Sequence, residues 1–270
     1  MPRPTLLGIP WDASSSFLRG AAGAPLAIRE ALHSPSTNSW SELGVDIGPA
    51  LADAGDAPIA GDEYPLDAIA DAVAAVVDDN GLPIVLGGDH SITYAAIRGL
   101  RRTQPPFAVL HIDAHPDLYD SFDGNRFSHA CPFARVMEEG LVEGLVQVGI
   151  RGMNGHQRDQ ARWFGVEVID MPRWDRGDRP SIGLPVYLSI DIDGLDPAFA
   201  PPGVSHPEPG GLSVRDVIGL IHAIAVPVVG ADVVEYNPTK DLGGATARVA
   251  AKLVKEVVGL CLRPPTSRYA

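Results

Sequence analysis

The chain has 270 residues, 45% apolar and 20% charged, with a net charge of −13 and two cysteines, Cys131 and Cys261. That length can bury a sizeable core, and the composition is that of a folded chain rather than a disordered one. An acidic balance without any Lys/Arg cluster excludes a nucleic-acid partner, no apolar run reaches the ~20 residues of a membrane span, and two thiols build no disulfide framework. Residues 1–10 have neither a basic segment nor a long apolar stretch, so they do not read as a signal peptide. A reducing, cytoplasmic setting is the expectation.

In chain order, residues 5–9 predict a strand and 25–32 a helix. Helix 66–79 precedes strand 83–86, helix 92–101 precedes strand 107–112, and helix 131–140 precedes strand 145–150. Helix 155–164 leads to strand 166–169 and a loop over 173–185. Strand 186–192, a loop over 200–211, helix 214–224, strand 227–234 and helix 245–262 complete the chain. Several strands are continuously apolar, as expected where both faces are covered. Ser213 is placed to cap the helix after it, and Gly81, Gly140 and Gly165 stand where helices should end. Alternating strand and helix predicts an α/β fold: a parallel sheet between two helical layers. With no repeat or linker, residues 1–270 read as one domain.

In such sheets ligands bind beyond the carboxyl ends of the strands, and reactive residue types gather there. Strand 83–86 is followed by Gly87-Gly88-Asp89-His90-Ser91, and strand 107–112 by Asp113-Ala114-His115-Pro116-Asp117. The strand from 186 ends in Asp191-Ile192-Asp193-Gly194-Leu195-Asp196-Pro197, and 227–234 is followed by Glu235-Tyr236-Asn237-Pro238. Alternate residues of an extended chain share a face, so Asp113, His115 and Asp117 can converge, and so can Asp191 and Asp193. With His90 they make four carboxylates and two imidazoles, a donor set for manganese, iron or zinc whose oxygen-rich balance favours manganese. Such carboxylates suit a pair of cations roughly 3.5–4 Å apart, and without cations they would repel one another. A single Asp-x-His is ordinarily a turn. Three such clusters, each ending an apolar run, are not accidents of turn chemistry.

The segments 87–91, 113–117 and 189–197 resemble the three signature motifs of the arginase/agmatinase (ureohydrolase) family, and the resemblance extends from about Leu6 to Leu262. It implies a three-layer α/β/α fold around a mostly parallel eight-stranded sheet, and hydrolysis of a guanidino substrate to urea and an amine. It further implies two manganese(II) ions per chain. His90, Asp113, Asp117 and Asp191 would hold one, and Asp113, His115, Asp191 and Asp193 the other. His129 matches the family's proton-shuttling histidine, Asp117 the carboxylate that relays a proton, and Glu235 the partner of the substrate guanidinium. A homo-oligomer, trimer or hexamer, is implied as well.

The substrate is less sharply marked. Asn125 and Asn154 fall where the family contacts substrate, but Leu118-Tyr119-Asp120 and Arg151-Gly152-Met153-Asn154 lack the aspartates of the animal-type amino-acid clamp. Residues 202–211 and Asp117-Leu118-Tyr119-Asp120 with Gly124-Asn125 are instead similar to plant-type arginases. The balance favours L-arginine, then agmatine, then other guanidino compounds. His206 reads as a loop residue sooner than a substrate contact. Two rivals are weaker: a single-zinc amide hydrolase leaves His90 and Asp117 without a task, and a silent regulator would have lost a ligand or the shuttle.

Overall fold

In the computed structural model, which describes residues 2–61, 63–200 and 203–263, the apolar runs pair edge to edge into one sheet. Its strands are β1 (Arg3–Gly8), β2 (Ala52–Asp56), β3 (Gly81–Leu86), β4 (Ala108–Ile112), β5 (Gly144–Ile150), β6 (Glu167–Asp170), β7 (Val186–Asp191) and β8 (Val228–Val234). They lie in the order β2-β1-β3-β8-β7-β4-β5-β6, and every neighbouring pair is parallel. The helices are α1 (Ala24–Leu32), α2 (Leu66–Asp78), α3 (Ile92–Leu100), α4 (Pro132–Glu138), α5 (Gly155–Phe164), α6 (Met171–Asp175), α7 (Val214–Ala223) and α8 (Ala245–Leu262). Pro201 and Pro202, in the expected loop 200–211, lie outside the described residues.

Two hydrophobic cores follow from the alternation of side chains along the strands. On one face Leu6, Ile84, Leu86, Leu110, Ile112, Leu188 and Ile190 pack against α1, α7 and α8. On the other, Leu7, Val85, Val109, Leu145 and Tyr187 pack against α2, α3, α4 and α5. β3 and β4 are buried along their whole length, which explains their continuous apolarity.

The structure differs from expectation at three places. β2, with the sequence Ala-Asp-Ala-Gly-Asp, carries no apolar run because it is an exposed edge strand. It is held by backbone pairing to β1 and by Arg29, which reaches Asp53 at 2.8 Å. α6 is a short helix that runs into the start of the expected loop 173–185, opened by Asp170, whose side chain accepts from the Arg173 amide at 2.9 Å. Gly81 does not end α2. Asn80 takes the left-handed conformation there (φ 58°), and Gly81 opens β3 with no space for a Cβ beside the Val76 carbonyl. Gly165 does close α5 in the left-handed conformation, as its position predicts.

Ser213 and Asp216 form a reciprocal cap at the start of α7. The Ser213 hydroxyl accepts from the Asp216 amide at 3.0 Å, and the Asp216 carboxylate accepts from the Ser213 amide at 2.9 Å. Ser213→Ala should therefore lower unfolding free energy by about 1 kcal/mol in a denaturant titration. An unchanged midpoint would show that the cap contributes nothing.

Candidate metal centre and active site

β3, β8, β7 and β4 are consecutive neighbours in the middle of the sheet, and their carboxyl ends carry His90, Glu235, Asp191 and Asp113. Four motifs far apart in sequence thus share one rim. Gly88 permits the first of them. A Cβ there would sit 1.7 Å from the Trp11 carbonyl oxygen, so only glycine lets the loop after β3 lie against the chain leaving β1. Gly194 has the same task beside the Asp113 backbone, 2.9 Å from its nitrogen. Asp117 (φ 49°) and Glu235 (φ 61°) are two of four non-glycine residues held at positive φ among the described residues, a strain that concentrates at functional sites.

The six expected ligands come together and are buried, His115 partly so. His90 Nδ1 lies 3.2, 3.0 and 3.1 Å from Oδ2 of Asp113, Asp117 and Asp191. His115 Nδ1 lies 3.1 Å from Asp193 Oδ2 and 3.6 Å from Asp113 Oδ1. Asp193 is turned inward by a tight turn in which its amide donates to Asp191 Oδ1 at 2.7 Å.

Hydrogen bonding decides which nitrogen of His90 faces the carboxylates. The Ser189 hydroxyl gives its one proton to Asp232 Oδ1 at 2.7 Å, so it accepts from His90 Nε2 at 3.0 Å. Asp232 is itself held by the Tyr187 and Thr93 hydroxyls, at 2.7 and 2.8 Å. With Nε2 committed as the donor, His90 Nδ1 is aimed, buried and without a well-formed hydrogen bond, into three anionic oxygens, where a proton or another cation has to stand between. These residues therefore fit a divalent metal. The group Asp113, His115 and Asp193 presents a second convergent donor set alongside.

The electrostatics agree. Burial opposes a charged His90, but Asp113, Asp117 and Asp191 overcome it and hold the ring's pKa well above its ordinary value. Burial, then Asp193 and Asp113, push Asp191 up, and Asp193 rises to about 7 through burial and Asp113 despite the offsetting His115. Bound protons take the place that metal charge would fill.

His129 stands on the wall of the same pocket. Its Nδ1 lies 3.0 Å from Glu235 Oε1 and its Nε2 2.8 Å from the Ser16 hydroxyl. Burial disfavours its charge, but Glu235 wins and raises its pKa to about 9. Burial would raise Glu235, yet His129 and the His90 amide, donating at 2.9 Å, keep it below the usual carboxylate range. His206 also belongs here: its ring centroid is 5.0 Å from that of His129 and 6.4 Å from that of His115, with Phe17 packed on its outer side. It is a loop residue, as expected, and its ring lies beside those of the two site histidines.

The two asparagines stand apart from this group. Asn154 caps α5, its Oδ1 accepting from Gln157 N at 3.0 Å and its Nδ2 donating to Tyr119 at 2.6 Å. Asn125 uses Oδ1 to accept from Phe127 N at 2.8 Å. Neither amide hydrogen-bonds to any of the six converging side chains. Among the described residues Arg151 pairs with no carboxylate: it donates to the carbonyls of Gly149, Asp193, Gly194, Leu195 and Glu208 and so ties the 193–195 turn to the loop beyond it.

Sequence reasoning missed His111. Gln147 Nε2 approaches its Nδ1 at 3.0 Å, which leaves Nε2–H to donate to Asp113 Oδ2 at 2.7 Å. The alternation that found Asp113, His115 and Asp117 runs back to it. Asp89, in the 87–91 segment, is a second residue that spacing does not single out. It accepts from Ser14 N at 2.9 Å, fastening the N-terminal loop, and burial, then Glu235, raise it to about 7.

Residues 3–259 match the family model described as the arginase family. The chain is 48% identical to Arginase 1, mitochondrial, of Arabidopsis thaliana, over 94% of this chain and 79% of that protein. Its fold superposes on the arginase of Medicago truncatula with a TM-score of 0.90 at 42% identity, covering 96% of this chain and 87% of the other. The agmatine ureohydrolase of Thermoplasma volcanium gives 0.82 at 33% identity, covering 96% and 89%. The mitochondrial name of the Arabidopsis relative overturns the expected cytoplasmic setting. That expectation rested on the first ten residues and on a count of two cysteines, neither of which identifies a compartment.

A carboxyl such as that of Asp193, with a folded pKa of about 7 against an ordinary 3.8, binds more protons folded than unfolded between those values. Metal-free protein should therefore lose stability as pH rises through that window, while metal binding, which requires the carboxylates deprotonated, strengthens. The melting-temperature difference between metal-loaded and chelator-treated protein should widen from about pH 5 to about pH 8. A difference that is constant or narrows would exclude these aspartates as ligands.

Proposed function

Because the chain belongs to the arginase family, we propose that it hydrolyses L-arginine to L-ornithine and urea at the rim of β3, β8, β7 and β4. The observation that carries this reading is the buried His90 Nδ1 among three aspartates, with Glu235 and His129 on the adjoining wall. Two manganese(II) ions fit the reading: His90, Asp113, Asp117 and Asp191 would hold one, and Asp113, His115, Asp191 and Asp193 the other. When bound, they supply the Lewis acidity that makes a water acidic enough to attack the guanidinium carbon near neutral pH. The whole chain, 1–270, serves as one catalytic domain on this reading, in a trimer or hexamer.

The protein's own groups bind, orient and move protons. Glu235 is buried and held anionic, and Oε1 already takes the bonds from His90 N and His129 Nδ1. The second oxygen is left to meet the planar guanidinium in a charge-assisted hydrogen bond. Asp117, held at positive φ with Oδ2 turned to His90, takes the proton of the attacking water. His129, protonated at neutral pH because of Glu235, supplies the proton without which the amine is a poor leaving group. Substrate binding assists this transfer. A guanidinium on Glu235 offsets the charge that raises His129, lowering its pKa toward a value from which the proton leaves readily.

Agmatine is the second reading, favoured by one observation: no aspartate stands where an α-amino group would be clamped, and Asn154 is occupied as a helix cap. Urea release from arginine, agmatine, guanidinobutyrate and hydroxyarginine, with manganese supplied, separates the two. Arginine should give the highest kcat/KM; a higher value for agmatine would reverse the assignment.

Two variants test the roles. Asp193→Asn should weaken metal binding and reduce turnover by several orders of magnitude, and near-normal activity would remove the two-metal assignment. His129→Asn should keep its full metal content while losing roughly 10²–10⁴-fold in kcat. Metal lost together with activity would mean that His129 is a ligand and not the acid.

A further inference from the structure

Away from the site, a cleft of about 160 Å³ lies between the end of α1, the segment 36–37 and the outer side of α8. Arg248, Lys252 and Lys255 line it from α8, at i, i+4 and i+7 on one helical stripe, and Ser36 and Thr37 face them. No acidic residue is among its lining residues. In a chain of net charge −13, three cations around one concavity stand out.

Their partners differ. Lys252 is compensated by Glu42 at 3.1 Å and by Glu256. Lys255 is not, although it is only 7% exposed: its ammonium donates to the Asn38 carbonyl at 2.9 Å and to Thr37 Oγ1 at 3.3 Å. Among the described residues no carboxylate lies within ion-pair distance of it. An ammonium has three donors, so one is unspent. Arg248 likewise meets only carbonyls, those of Gly243 and Gly244 at 2.7 and 2.9 Å, through a single nitrogen. The rest of its guanidinium is free to engage an anion. Burial, then the neighbouring Lys252, depress the Lys255 pKa against an opposing pull from Glu256, which forms no ion pair with it.

We propose that this cleft binds a small tetrahedral dianion of the phosphate or sulfate class. Two uncompensated cations, Arg248 and Lys255, match two negative charges. Four acceptor oxygens can take the guanidinium fork and the spare ammonium proton, and the Ser36 hydroxyl can donate while accepting from Ser34 at 2.8 Å; the Thr37 proton goes to the Asn38 carbonyl at 3.4 Å and would have to turn to join them. The bound ion would tie segment 36–37 to α8.

Sulfate is the suitable probe, because it does not precipitate divalent cations. Titrated calorimetrically into the full-length, metal-loaded protein at constant ionic strength, it should bind saturably with one ion per chain and raise the melting temperature, where chloride does neither. Arg248→Gln and Lys255→Met should each weaken binding at least tenfold. Arg248 is exposed, so its variant keeps the test sound even if Lys255→Met fails to fold. Heat that does not saturate, a response shared by chloride, or affinity unchanged in Arg248→Gln would each overturn the proposal. So would a change in oligomeric mass in that variant without any sulfate binding by the parent protein, which would assign the cations to a partner chain's carboxylates.

Discussion

Four aspartates, Asp113, Asp117, Asp191 and Asp193, meet in a buried space at the centre of the sheet's carboxyl rim, and most of the local architecture answers to their mutual repulsion. Burying one carboxylate is costly, and burying four together is sustainable only if protons or cations share the space. Protons do so in part, through His90, His115 and a raised Asp193. A proton on His90 Nδ1 has three equivalent claimants and satisfies none of them well. A divalent ion satisfies all three.

The groups behind the ligands matter because they decide which atoms face inward. Ser189 and Asp232 turn His90 so that Nδ1 points to the centre, while Gln147 and His111 hold Asp113 from behind. These partners lie on β4, β5, β7 and β8, so the orientation of the ligands is built into the rigid part of the fold. Backbone constraint completes the arrangement. Left-handed turns at Asp117 and Glu235 aim two carboxylates that a regular strand exit would point elsewhere, and the close approach at Gly88 brings the N-terminal loop, with Ser14 and Ser16, over the pocket.

The central strands were legible in sequence because burial on both faces forces a continuous apolar run, as in β3 and β4. β2 was not, since an edge strand exposed on both sides needs only backbone pairing, and its Ala-Asp-Ala-Gly-Asp has the look of a turn. The end of α2 was misread for a related reason. Gly81 has the composition of a helix stop, but its lack of a Cβ is used for close packing against Val76, and Asn80 accepts the left-handed conformation in its place.

The site divides along the same line. Residues that project from strand ends at alternate positions announce themselves by spacing, and all six expected ligands converge. Residues whose task depends on a partner far away in sequence carry no such mark. Asp232 is an isolated acid inside an apolar strand until Ser189, Tyr187 and Thr93 are seen to surround it. Asn154 shows the converse. Its position beside Arg151 reads as a substrate contact, and an asparagine one residue before a helix is also suited to cap it: here Oδ1 caps α5 and one amide proton goes to Tyr119, which leaves the second amide proton unspent. A polar side chain has few hydrogen-bonding atoms, and which of two neighbours claims them is settled by packing rather than by spacing. Charge behaves differently: four carboxylates cannot be consumed by local hydrogen bonds, so their convergence kept its meaning from sequence to structure.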